Sequence, residues 1–251
     1  MKGLLIPEIR NYFLCCLLLS TFIGGCRKND DLDTKKPDET TGPGNTTGSA
    51  TIVIIGSSTA AGLGATPSDS AWVNRLRLST LDNKKSLYYI NLAVSGYTTY
   101  EGMPSGYAVS GRRSVDTAKN ITKALSYHPS LVVITYPTND VAEGYTDDEV
   151  MRNYAEMVRL LDSAKINYLM FGTQPRNFED AALRSRLKSL NDKIKTTYST
   201  HFNNVYDSLA TSDLYIRPEF SYTDGIHLNN KGHYFILQSV LGNTIFQNII
   251  K

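Results

Sequence analysis

Apolar and polar positions divide the chain into a short apolar leader, a polar stretch and a long alternation of two kinds of segment. Runs rich in β-branched and aromatic residues occur at Thr51–Ile55 (TIVII), Leu87–Leu92 (LYYINL), Leu131–Tyr136 (LVVITY) and Tyr168–Gly172 (YLMFG), with a weaker one at Asn204–Tyr206. Between them lie helix-like segments, at Ala71–Leu81, Val115–Ser126, Asp147–Ala164, Glu179–Tyr198 and Asn229–Ile249. Strands alternating with helices of this length indicate βαβ units, a parallel sheet and helices on both of its faces. The pattern therefore predicts an α/β fold, a three-layer α/β/α sandwich around a central, mostly parallel five-stranded sheet. The domain is expected to span 50–251, without internal repeats. A single domain of this size buries about 70% of its extended-chain surface.

The first residues follow a different logic. Lys2 and Arg10 precede the apolar run Phe13–Ile23, which is too short to span a bilayer stably and reads as a signal peptide over 1–25. The run ends in Ile23-Gly24-Gly25-Cys26, which resembles the lipobox of bacterial lipoproteins, where the cysteine becomes the lipidated first residue. Cys26 is thus the expected lipid anchor, and the expected location is the cell envelope, at the outer membrane or cell surface. An ordinary secretory signal with an incidental cysteine and a retained membrane helix are the alternatives. Residues 26–49 are rich in Asp, Thr, Lys, Gly and Pro and nearly devoid of apolar side chains, so they are expected to form a flexible polar linker. Within it Lys28-Asn29-Asp30-Asp31 resembles a lipoprotein surface-export signal, or is a solvated charged segment.

Composition narrows the function classes. All three cysteines, Cys15, Cys16 and Cys26, lie in the leader or at its end, so the domain has neither a disulfide nor a cysteine-rich zinc site. The formal charge of +2 comes without a clustered basic stripe, which argues against nucleic-acid binding. No Gly-x-Ser-x-Gly elbow occurs, and GSSTAAGLG matches neither the Walker pattern nor the dinucleotide fingerprint.

Parallel sheets of this kind place ligand chemistry at the carboxyl ends of their strands. The loops that follow the predicted strands are Gly56-Ser57-Ser58-Thr59-Ala60-Ala61-Gly62, then Ala93-Val94-Ser95-Gly96-Tyr97, then Pro137-Thr138-Asn139-Asp140. Near the end of the chain comes Tyr222-Thr223-Asp224-Gly225-Ile226-His227. Each offers one part of a hydrolytic site. Taken alone, each also has a plainer reading: turn serine, turn glycine, helix N-cap or tight turn. His227 has rivals in His128, His201 and His233. The first two read as structural or exposed, and His233 and Trp72 fall in helices.

In order and placement these blocks resemble those of SGNH (GDSL-type) hydrolases. That family carries a Ser after the first strand, a Gly after the second, an Asn in Gly-x-Asn-Asp after the third and a His in Asp-x-x-His before the last helix. Ser58, Gly96, Asn139 and His227 match in order, with Asp224 three residues before the histidine. Two positions depart: Ser57 stands where the family has Asp, and Pro137 where it has Gly, removing a backbone N–H.

The resemblance implies a serine esterase. Ser58 is the nucleophile, His227 its base and Asp224 the carboxylate that orients the ring, with an oxyanion hole from the N–H groups of Ser58 and Gly96 and the amide of Asn139. No metal or organic cofactor is required. The expected substrates are short-acyl, most plausibly acetyl, esters of carbohydrates; the non-enzymatic rival is an inactive carbohydrate-binding surface lipoprotein on the same fold. Candidate pocket-lining segments are Tyr97–Tyr107 and Thr173-Gln174-Pro175-Arg176. Arg176 there either contacts an acyl or sugar oxygen or, on the plainer reading, forms a surface salt bridge.

Overall fold

The computed structural model describes residues 48–251. The leader expected at 1–25, Cys26 and all but the last residues of the 26–49 stretch lie outside the described residues. Within them, five strands, β1 (Ser49–Gly56), β2 (Ser86–Asn91), β3 (Leu131–Thr135), β4 (Asn167–Phe171) and β5 (Phe202–Asn203), form one sheet. Their order is β2-β1-β3-β4-β5 and every pairing is parallel. The helices are α1 (Ser58–Ala61), α2 (Trp72–Ser79), α3 (Ile121–Leu125), α4 (Thr138–Ala142), α5 (Asp147–Ser163), α6 (Ala181–Tyr198), α7 (Tyr206–Leu209), α8 (Asn230–Leu241) and α9 (Thr244–Ile250).

Successive side chains of a strand point to opposite faces, and the central strands are apolar on both. Val53 and Ile55 of β1, with Val132 and Ile134 of β3, pack against α3, α5 and α6 through Ile121, Tyr154, Met157, Leu187 and Ile194. Ile52 and Ile54, with Leu131 and Val133, pack against α2, α8 and α9 through Trp72, Leu76, Ile236, Val240 and Phe246. These two cores make the three layers. Trp72 is buried and stacks on Phe171, as its place in a helix suggested.

Local chemistry sets where the elements begin and end. Thr146 caps α5 by accepting from the N–H of Glu149, whose carboxylate accepts from the N–H of Thr146, a reciprocal arrangement worth about 1 kcal/mol. The helix expected from Val115 starts only at Ile121, because Asn120 accepts from Lys123 N and caps it there. The long final helix is two: it stops at Gly242, and Asn243 accepts from Ile245 N to open α9. The weak strand expected at Asn204–Tyr206 lies two residues earlier, since Asn204 donates to Asp207 and Tyr206 already opens α7.

From β1 the chain crosses to β2 on one side and then returns past β1 to β3 on the other. The carboxyl ends of β1 and β3 therefore diverge at a switch point, the place where sheets of this order bind ligands.

Candidate active site

At that switch point β1 ends and α1 begins. Ser57 is in extended conformation; its N–H donates to Thr135 O of the neighbouring strand at 3.1 Å, and its carbonyl accepts from Ala61 N at 3.0 Å. Ser58 is therefore the first residue of α1 and is 7% exposed. Neither its hydroxyl nor its backbone N–H has a partner among the described residues.

Asp224 and His227 lie on one turn before α8. Tyr222 N donates to His227 O at 2.8 Å and Gly225 N to Tyr222 O at 3.1 Å, closing the loop on itself. Asp224 Oδ1 accepts from the N–H groups of Ile226 and His227, each at 2.9 Å, and Oδ2 is 2.7 Å from His227 Nδ1. Burial alone would raise the Asp224 pKa, but the His227 N–H, the imidazole and the Ile226 N–H outweigh it and hold it at about 2. The carboxylate is thus ionised at neutral pH and only accepts hydrogen bonds, so Nδ1 carries a ring proton, and in the neutral imidazole Nε2 is the nitrogen that presents a lone pair. Nε2 and Ser58 Oγ are not hydrogen-bonded to each other. Gly64 presses the two loops together: a Cβ there would lie 2.1 Å from Leu228 O and 3.2 Å from His227 Cβ.

Gly96 sits in the turn after β2 with φ +82°, a conformation that favours glycine, and its N–H is likewise unpartnered among the described residues. Its carbonyl accepts from Arg113 Nη1 at 3.2 Å, and Arg113 also pairs with Glu101 and Glu143. Asn139 lies in α4 and donates one amide hydrogen to Tyr97 O at 3.0 Å, leaving the second unspent. Fully buried Asp140 ties the same two segments from beneath, accepting from Thr99 N and, at 2.5 Å, from Thr99 Oγ1. Burial pushes its pKa up to about 7, against the lowering effect of the Thr99 bonds.

A family model, the GDSL-like lipase/acylhydrolase family, matches residues 54–235, well over half of the chain. The chain belongs to this family. A GDSL-family member is a hydrolase acting on ester bonds, known also by the SGNH name. Solved structures agree on the fold. A GDSL-like lipase from Bacteroides thetaiotaomicron is 22% identical, covers 79% of this chain and 89% of its own, and superposes with a TM-score of 0.58. The psychrotrophic esterase EstA from Pseudoalteromonas sp. is 20% identical over 77% of this chain and 96% of its own, at 0.55. The lipase Lip_vut3 from a goat rumen metagenome is 13% identical over 78% and 98%, at 0.60. Comparison with curated proteins finds no significant match.

The two departures from the family pattern fall in the turns just before Ser58 and Asn139. Pro137 is the residue before α4, and its carbonyl accepts from Asp140 N, so the missing N–H interrupts no bond that presents Asn139. Ser57 takes part through its backbone. Of the rival histidines, His233 is fully buried and bridges Trp72 N and Leu63 O, and His201 stacks on Tyr168 at 4.0 Å; His128 has φ +49° beyond the end of α3.

In the Tyr97–Tyr107 segment Thr98, Thr99, Tyr100, Glu101 and Met103 are buried beneath the Gly96 turn, while Tyr97 and 104–107 remain partly or fully exposed. Arg176 forms no salt bridge among the described residues; it lies over the Phe178 ring at 4.7 Å, and burial lowers its pKa against the charge of Asp224. The supporting contacts of Asp140 and Arg113 went unread in the sequence. Asp140 alone carried a signal, as the second residue of the Asn-Asp pair. Among the described residues no cluster of three or more His, Cys, Asp or Glu is arranged to hold a metal, and no helix is long and apolar enough to cross a membrane.

Proposed function

We propose that this GDSL-family hydrolase is a serine esterase in which Ser58 attacks the ester carbonyl, His227 Nε2 takes its proton, and Asp224 holds the ring. Attack forms the Ser58 Oγ–carbonyl bond. Collapse of the tetrahedral intermediate breaks the bond to the alcohol, which leaves with the proton held by His227. Water, deprotonated by His227, then hydrolyses the acyl-enzyme and regenerates Ser58. The unspent donors at Ser58 N, Gly96 N and Asn139 Nδ2 suit the negative charge of that intermediate. The observation that carries the reading is the 2.7 Å contact between an ionised Asp224 and His227 Nδ1, which leaves the ring poised as a base. A fluorophosphonate probe followed by peptide mass spectrometry tests it. Label is expected on Ser58, retained in Ser57→Ala and lost in Ser58→Ala; label on Ser57, or on no serine of the Gly56–Gly62 loop, overturns the assignment.

The substrates we propose are short-acyl, chiefly acetyl, esters of carbohydrates. This reading rests on the proposed placement of the enzyme at the cell surface, where such esters are met. A panel of p-nitrophenyl esters and acetylated sugars tests this, and faster turnover of long-chain than of acetyl esters contradicts it. We further propose a lipid anchor at Cys26, resting on the small residues before it. Cys26→Ser is then expected to abolish fatty-acid incorporation and release the protein from membranes.

A further inference from the structure

The groups of this site come from four separate segments, and the nucleophile and its base share no hydrogen bond. One side chain spans the gap. Gln174 follows β4, a strand that supplies none of the proposed reacting groups. Its Oε1 accepts from Thr59 Oγ1 at 2.7 Å, its Nε2 donates to Ile226 O at 3.0 Å, and its backbone N–H donates to Thr138 Oγ1 at 3.0 Å. Each partner is the chain neighbour of a proposed active group: Thr59 follows Ser58, Ile226 precedes His227, and Thr138 precedes Asn139.

We propose that Gln174 is a positioning residue that sets the spacing of nucleophile, base and oxyanion amide, an inference that rests on the serine-esterase reading above. The chemistry of the primary amide suits it to the task. Ile226 O can only accept, so the amide must turn Nε2 toward it, and Oε1 then necessarily faces Thr59, whose hydroxyl must donate. The three bonds thereby fix one orientation, partly shielded from solvent where such bonds are stronger. A reacting group displaced by about 1 Å costs on the order of a hundredfold in rate, so a brace of this kind is felt in kcat and not in substrate affinity.

The test uses variants that keep volume and remove bonds. Gln174 borders the cavity of about 30 Å³ beneath Ser57, and truncation to alanine would open it to water. Gln174→Met avoids that while removing the side-chain donor and acceptor. Gln174→Glu keeps the acceptor for Thr59 but sets oxygen against Ile226 O. Both are expected to lower kcat by about ten- to a hundredfold with KM within about twofold, and with Ser58 still the labelled residue. Thr59→Val is expected to lose rate similarly, Thr59→Ser to recover most of it by restoring the hydroxyl, and Thr59→Val combined with Gln174→Met to be little worse than either alone. Full kcat in folded Gln174→Met overturns the inference, as does a raised KM with kcat intact, which would make Gln174 a binding residue. If Gln174→Met fails to fold, the Thr59→Val and Thr59→Ser pair decides, and equal rates in those two overturn it. Wild-type label elsewhere than Ser58 instead defeats the underlying site assignment, a distinct failure.

Discussion

At the scale of single residues the site divides into groups that react and groups that aim them. Asn139 spends one amide hydrogen on Tyr97 O and keeps one. Asn139→Ala is therefore expected to lower kcat by roughly a hundred- to a thousandfold with little change in KM, since the free hydrogen acts on charge that develops in the transition state. Steady-state kinetics with a p-nitrophenyl ester checks this; unchanged kcat would mean the amide serves Tyr97 alone. Asp224→Asn is expected to cost up to about ten-thousandfold, yet less than Ser58→Ala or His227→Ala, because Asp224 fixes the tautomer without touching substrate. The candidate groups Ser58, Gly96, Asn139, Asp224 and His227 could be named from the sequence because each lies in a loop after a recognisable strand or before the last helix, in blocks that resemble those of the family. The contacts of Gln174, Asp140 and Arg113 could not be, because they depend on partners 12 to 115 residues away in the chain. Spacing along the sequence carries no trace of such partners.

At the scale of elements, the strands and long helices were readable from apolar patterning, while their ends were not. Patterning reports which faces are covered, whereas ends are decided by side chains such as Asn120 and Asn243 bonding their own backbone. The short helices α1, α4 and α7 have too few residues to show a period at all, and two of them carry Ser58 and Asn139. Packing between elements sets the approach of the His227 loop to the Ser58 loop, and Gly64 is where it is tightest. Gly64→Ala introduces a Cβ against Leu228 O at φ +88°. It is expected to reduce kcat and slow fluorophosphonate labelling at temperatures where circular dichroism still reports a folded chain. Wild-type labelling rates would show that the loops are not held by this contact.

For the molecule as a whole, two buried groups pull stability in opposite directions with pH. Burial lowers the His233 pKa, so its contribution is complete above the unfolded value near 6.5 and is lost as pH falls through the lower folded value. Asp140 is the reverse: its folded pKa, pushed up to about 7, lies above the unfolded one, so its contribution is present below about 4 and lost as pH rises through 7. His233→Gln is expected to lessen the fall in Tm as pH drops below about 6.5, and Asp140→Asn to deepen it. Thermal melts across that range decide, and parallel Tm curves for wild type and both variants would show that neither group is linked to folding. The direction of β1 has a consequence of another kind. Its eight residues run about 23 Å from Ser49 to Gly56, so the chain enters the sheet at its amino end while the proposed site is at its carboxyl end. Ser49 therefore lies at the pole of the sheet opposite the proposed site.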